Sequence, residues 1–294
     1  MRHPIIVAEI GASHNGSLDA ALDLIDLAAH AGADAVKIQC FTPEQMAEPG
    51  VKIEKGPWAG RELLDLYRET HTPRAWHRAI FDYARKERLT PFASVFHNDD
   101  VDWMQSLDCP WYKIASFELT DTALIRHVAR THKPLIISTG MATENEIVGA
   151  IQSAHRNGCQ DITMLKCTSA YPTPTAEANL RTISHLQQWL SMSSKAHPDD
   201  WTKFAVGLSD HTISHTAAVV ATALGASMIE KHIIRDRSDG GPDAAFSANE
   251  HEFEAMVKEV RAAASALGTV HYGPTASEEC HLALRRKPGG KRGQ

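Results

Sequence analysis

Eight short apolar runs separated by helical patterns predict an α/β fold, a single-domain (β/α)8 TIM barrel. Three observations carry that expectation. The runs are almost continuously apolar, as strands covered on both faces are. They alternate with segments of helical period, which is the signature of parallel βα units. Eight of them fall within 294 residues, the number and length that suit a closed barrel. A doubly wound open sheet is the alternative. Such a sheet usually opens on a Gly-rich phosphate turn, and GASHNG at 11–16 is not GxGxxG.

In order, the strand-like runs are 5–11, 35–40, 90–95, 111–116, 134–139, 162–167, 205–210 and 227–233. Segments 17–31, 120–131, 144–157 and 249–267 repeat their apolar residues at helical spacing. Two connections break the rhythm. Residues 42–61 form a long link after the second run and read as an active-site flap. Residues 191–203 (SMSSKAHPDDWTK) are polar and turn-rich and read as a surface insertion. Beyond Leu267 the pattern turns irregular and closes on RRKPGGKRGQ. The expected division is a barrel over 1–275 and a tail or truncated linker over 276–294. There is no internal repeat.

Composition narrows the function classes. The chain is 43% hydrophobic, enough for one large core. Thirty basic against 36 acidic residues give a net charge of -6, which argues against nucleic acid or an anionic membrane as partner. No run approaches the roughly 18 apolar residues of a membrane span, and the first apolar run is too short for a signal peptide. The cysteines at 40, 109, 159, 167 and 280 are odd in number and lack a CxxC pair. Reduced thiols in a cytoplasmic enzyme are expected.

Barrel enzymes place their chemistry at the C-terminal strand ends. Polar residues are read there in every unit: Glu9; Lys37 with Gln39; Thr90; Lys113 with Ser116 and Glu118; Ser138; Lys166 with Ser169 and Tyr171; Ser209 with Asp210 and His211; and Glu230 with Lys231 and His232. Lys37 and Lys113 lie inside apolar runs, AVKIQC and WYKIAS. A buried ammonium needs an anionic partner. That partner is either a barrel carboxylate or a multiply charged ligand such as a phosphate, with serine hydroxyls as added donors. A Schiff-base lysine is a third reading. His211 and His232 end neighbouring runs and could share one ion, or could be hydrogen-bonded core histidines. With no cysteine beside them, an oxygen-completed Mn2+ or Mg2+ site is favoured over structural zinc. Glu9 and Glu118 are either salt-bridge partners or proton carriers. Asp243 sits in the Gly-rich loop DGGPDAAFS, where a turn former is the ordinary reading.

Taken together, these motifs resemble the sialic acid synthase family. AEIGASHNGSLDAALDLIDLAAHAGADAVKIQ, TPF, YKIASFEL, ISTGMAT, CTSAYPTP, VGLSDHT, EKHI and GGPDAAFS carry the resemblance, in order, from about residue 5 to 275. CTSAYPTP and the GGPDAAFS…EFEAMV ending sit nearer the pseudaminic acid synthases of that family than the N-acetylneuraminate synthases. The resemblance implies a (β/α)8 barrel, phosphoenolpyruvate and a divalent metal, usually Mn2+ with Mg2+ or Co2+ as alternatives. It implies that Lys37, Gln39, Thr90, Lys113, Ser116, Ser138, Ser169 and Ser209 bind phosphoenolpyruvate, although the family usually carries Asn at the position of Ser169. It implies that His211 and His232 hold the metal, that Glu9, Tyr171 and Asp243 meet the amino sugar, and that Glu9, Glu118 and Lys113 act in catalysis.

The implied product is a nine-carbon nonulosonic acid of the pseudaminic type, made with release of phosphate. N-acetylneuraminate or legionaminate synthesis, a pyruvate aldolase and a non-catalytic barrel subunit are the alternatives. The family also implies a homodimer and a C-terminal antifreeze-like domain lending an Arg to the sugar site. No segment here resembles that domain, so a separate lid-domain chain is one expectation.

Overall fold

The computed structural model describes residues 3–196, 203–286 and 288–290. Strands β1 (Ile5–Glu9), β2 (Ala35–Cys40), β3 (Thr90–Val95), β4 (Tyr112–Ile114), β5 (Leu135–Ser138), β6 (Asp161–Cys167), β7 (Lys203–Asp210) and β8 (Met228–His232) form one barrel. Each pairs in parallel with its sequence neighbour, and β8 closes on β1. The open-sheet alternative is thereby excluded.

The helices are α1 (Leu18–Ala31), α2 (Pro43–Met46), α3 (Leu63–Thr70), α4 (Arg74–Lys86), α5 (Asn98–Gln105), α6 (Thr122–Ala129), α7 (Glu144–Arg156), α8 (Arg181–Ala196), α9 (Thr216–Ala223) and α10 (Glu250–Leu267). Local chemistry sets their ends. Ser17 caps α1 through a 3.2 Å bond from Ala20 N, and Gly32 ends it with φ +85°. Thr143 with Glu146, and Asn249 with Glu252, form capping boxes on α7 and α10. Each such cap is worth about 1 kcal/mol. The apolar strand residues and the inner faces of the helices share one buried cluster, from Ile6 and Ile38 to Ile25, Phe81 and Phe253.

Expected and observed elements differ at two notable points. The fourth strand is cut to three residues because Ser116–Glu118 winds into a 3-10 turn. The expected insertion at 191–203 is continued helix through Ala196 and strand from Lys203; the residues between lie outside the described residues. The described residues after Leu267 are exposed apart from Gly290, with one 3-10 turn at Glu279–Leu284. No helix among the described residues is long and apolar enough to cross a membrane.

Candidate active site

Side chains from six strands meet in a buried ionic ring inside the barrel mouth. Lys37 Nζ lies 2.8 Å from Glu9 Oε2, donates to Ser94 Oγ at 2.8 Å and lies 3.8 Å from Glu230 Oε1. Lys113 Nζ donates to Glu230 Oε1 at 3.1 Å, and Ser209 Oγ donates to the same oxygen at 2.9 Å. Gln39 braces Glu9 through a 3.2 Å bond to Oε1. Strand alternation explains the selection. On β7 and β8, Ser209 and Glu230 join the ring, while the intervening Asp210 and Lys231 pair with each other at 2.9 Å. Lys166 bonds to Cys167 O and Thr168 Oγ1 at its own strand end.

The ring divides its charge unevenly. Burial works against the Lys37 ammonium, but Glu230 and Glu9 outweigh it and hold its pKa above the ordinary value. Lys113 is pulled down by burial, and Lys37 adds to that against the support of Glu230. Burial alone would raise the Glu230 carboxyl, yet Lys113 and Lys37 bring it down to about 2. Both lysines are therefore ion-paired internally. Lys113, with one carboxylate partner, is the cation with unmet demand for an anion.

Beside Lys113, small residues open a cradle. Gly140 N donates to Ser116 Oγ at 3.1 Å. A Cβ at Gly140 would collide with Ser169 Oγ and fall 2.7 Å from Ser116 Oγ. Ser138 is buried and its Oγ has no hydrogen-bond partner. An unpartnered buried hydroxyl costs about 1–3 kcal/mol, and this one is a free donor at the end of β5. The placement of Thr90 is corrected here. It opens β3 opposite Ala35, at the N-terminal end, and its amide bonds to Asp34 O. Over six residues the strand carries the mouth about 16 Å away. Ser94, not Thr90, is the β3 side chain in the ring.

The imidazoles of His211 and His232 stand with ring centroids 5.4 Å apart. His211 Nδ1 lies 3.1 Å from Thr168 O, which as an acceptor places a proton on Nδ1 and leaves Nε2 as the ring nitrogen open to an ion when the imidazole is neutral. His232 Nδ1 is 3.3 Å from Asp243 Oδ2 but has no hydrogen bond, a buried nitrogen left available. Asp243 is fixed by accepting from Ala12 N at 2.9 Å. Gly11, at φ +51°, makes this approach possible, because a Cβ there would collide with Asp243 and come within 2.9 Å of His232 Nδ1. Among the described residues, no group of three or more His, Cys, Asp or Glu forms a metal cage. The residues fit an ion held by two imidazole nitrogens and completed by ligand or solvent oxygens. Cys167 lies 3.8 Å from His211 Nδ1. Burial would raise its thiol, but His211 and neighbouring donors bring it down to about 6.

Glu118 lies at the rim, on the 3-10 turn after β4. Burial pushes its carboxyl up to about 7 against the pull of a backbone hydrogen bond and Lys113, and Oε2 is buried without a partner. Such a group can take or give a proton near neutral pH. Tyr171 packs on His211 at 4.5 Å between ring centroids. The connection expected to act as a flap carries Trp58 to the mouth, where its ring lies 5.6 Å from Tyr171.

The sequence profile of the NeuB family matches residues 24–272, most of the chain. The chain belongs to the NeuB family. NeuB-family relatives include the pseudaminic acid synthase of Helicobacter pylori, 41% identical over 272 residues, which span 91% of this chain and 76% of that protein. The pseudaminic acid synthase of Campylobacter jejuni is 42% identical over 267 residues, 90% and 74% of the two chains. In structure, the N-acetylneuraminic acid synthetase of Leptospira borgpetersenii superposes with a TM-score of 0.82 at 28% identity, covering 97% of this chain and 94% of that one. This NeuB-family barrel is thus a condensing synthase of the nonulosonic acid type.

Three site residues escaped the sequence reading, and a fourth, Glu230, was placed at the mouth without a role. Ser94 was hidden by the misjudged end of β3. Glu230 had a visible signal, a carboxylate two residues before His232, but its partners lie across the barrel. Trp58 and Phe246 sit in connections whose contacts only the folded chain supplies.

Proposed function

We propose that the chain joins phosphoenolpyruvate to an open-chain amino-sugar aldehyde of the 2,4-diacetamido-trideoxy-altrose type, giving a pseudaminic-type nonulosonic acid and phosphate. The observation that carries this reading is the meeting of a lysine–carboxylate ring and serine cradle with an imidazole pair at one barrel mouth. The relatives' activities support the choice of acceptor class.

Lys113 and Lys37 would hold the carboxylate and phosphate of phosphoenolpyruvate, with Ser116, Ser138, Ser169 and Ser209 as neutral donors. Bound anion would supply the charge that Lys113 lacks. A divalent metal, Mn2+ by expectation, would be held by His211 and His232 and would supply Lewis-acid polarisation of the aldehyde. C3 of phosphoenolpyruvate bonds to the aldehyde carbon, whose oxygen takes up a proton. Water adds at C2 and gives up a proton. The tetrahedral carbon then collapses by breaking its bond to the phosphate oxygen while its hydroxyl proton passes to the departing phosphate, leaving the ketone and free phosphate. Glu118 can exchange both protons at neutral pH, with Glu9 as the buried carboxylate nearest Lys37. Fixed charge and positioning would provide most of the acceleration.

The test is phosphate release, with mass spectrometry of the product, on a panel of amino sugars with phosphoenolpyruvate and Mn2+. A product without phosphate release, or made equally from pyruvate, would overturn the reading. N-acetylneuraminate and legionaminate synthesis are separated by the mass of the product.

A further inference from the structure

We propose that Trp58 is the acceptor-facing wall of this site and selects sugars that present an apolar edge, a deoxy carbon or an N-acyl methyl group. The inference rests on the condensing reading and adds a residue that determines specificity.

An unbroken series of ring contacts leads from the imidazole pair to Trp58. Phe246 lies 5.1 Å from His232 and 5.0 Å from Tyr171, measured between ring centroids. Trp58 lies 5.6 Å from Tyr171 and 6.4 Å from Phe246. The site therefore has two unlike halves, one charged and hydroxyl-lined, the other aromatic.

The aromatic half has little polarity left to offer. The Trp58 indole N–H is taken by Pro242 O at 3.0 Å, next to Asp243. The Tyr171 hydroxyl has Ser169 as a hydrogen-bonding neighbour. Phe246 has no polar atom. What these residues offer a ligand is ring surface, and Trp58 is only half-buried. A sugar hydroxyl placed there loses water and gains no partner. A methyl or deoxy carbon packs against the ring at no such cost. Discrimination then comes from what the wall cannot hydrogen-bond.

Trp58 also ties its connection to the Asp243 loop, so the experiment separates ring contact from tie. Trp58→Ala removes both, whereas Trp58→Phe keeps a ring and loses the N–H. Steady-state kinetics are measured with phosphoenolpyruvate, Mn2+ and either 2,4-diacetamido-2,4,6-trideoxyaltrose or N-acetylmannosamine. Trp58→Ala should raise the KM for the trideoxy sugar about tenfold, equal to about 1.4 kcal/mol. It should change the KM for phosphoenolpyruvate less than twofold and reduce the preference for the trideoxy sugar over N-acetylmannosamine. Trp58→Phe should stay within threefold of the parent protein. Equal losses in both variants, an unchanged acceptor KM in Trp58→Ala, or an unchanged preference would overturn the proposal. Parent-protein turnover in the same assay tests the condensing reaction separately. If that control releases no phosphate, the same tenfold ratio is read from equilibrium binding of the trideoxy sugar by calorimetry, with the same outcomes deciding.

Discussion

Replacing Glu230 by glutamine should strand a charge inside the barrel. Glu230 Oε1 receives Lys113 Nζ at 3.1 Å and Ser209 Oγ at 2.9 Å, with Lys37 Nζ at 3.8 Å. The amide keeps the shape and removes the negative charge. Lowering the carboxyl from 4.5 to about 2 corresponds to roughly 3 kcal/mol of favourable interaction in the folded state. Breaking one side of a buried ion pair costs about 3–5 kcal/mol, in agreement. At about 2–4 °C per kcal/mol, Glu230→Gln should melt about 6–12 °C below the parent at pH 7. Because the folded pKa is depressed, this stabilisation is complete above pH 4.5 and disappears as pH falls toward 2. The gap between the two proteins should therefore narrow over that window. Adding Lys113→Met to Glu230→Gln removes the stranded ammonium and should recover most of the loss. Coincident melting of Glu230→Gln and parent at pH 7, or a double variant no more stable than the single, would refute the charge-ring argument.

Ser94→Ala should raise the KM for phosphoenolpyruvate several-fold while Thr90→Ala leaves it unchanged; steady-state kinetics decide, and the reverse order would restore the original placement of Thr90. Gly140→Ala should fill the serine cradle and weaken phosphoenolpyruvate binding at least tenfold by calorimetry, with little change in melting temperature. Glu118→Gln should lower kcat by about 10²–10⁴ and abolish a kinetic pKa near 7. Since the folded Glu118 keeps its proton up to about pH 7 and the unfolded chain loses it near 4.5, this group's contribution to stability falls as pH rises through that window, and Glu118→Gln should gain stability over the parent at pH 8. His211→Ala should lose Mn2+ binding measured by electron paramagnetic resonance; retained stoichiometric binding would exclude the imidazole pair as the ion's site.

Much of this architecture could be read from residue order, for identifiable reasons. β2 and β3 matched their expected bounds because each is a compact apolar run ended by polar or turn residues. Lys37 and Lys113 stood out as charges inside such runs. Thr90 was misread because TPF marks where a strand begins, and the same strand's far end holds Ser94. The partner of Lys113 could not be identified, since Glu230 is 117 positions away and meets it only after β8 closes on β1. Residues 191–196 read as part of a loop because the last turns of a helix can be as polar as a turn.

The ionic ring draws on β1, β2, β4, β7 and β8, with Ser94 added from β3, so no separable segment of the chain owns it. Detaching a single stave of this cask would scatter the charges it assembles. Thermal inactivation should therefore track loss of the whole barrel rather than fraying of one loop, and circularly permuted chains should recover chemistry only where the eight-strand closure is recovered.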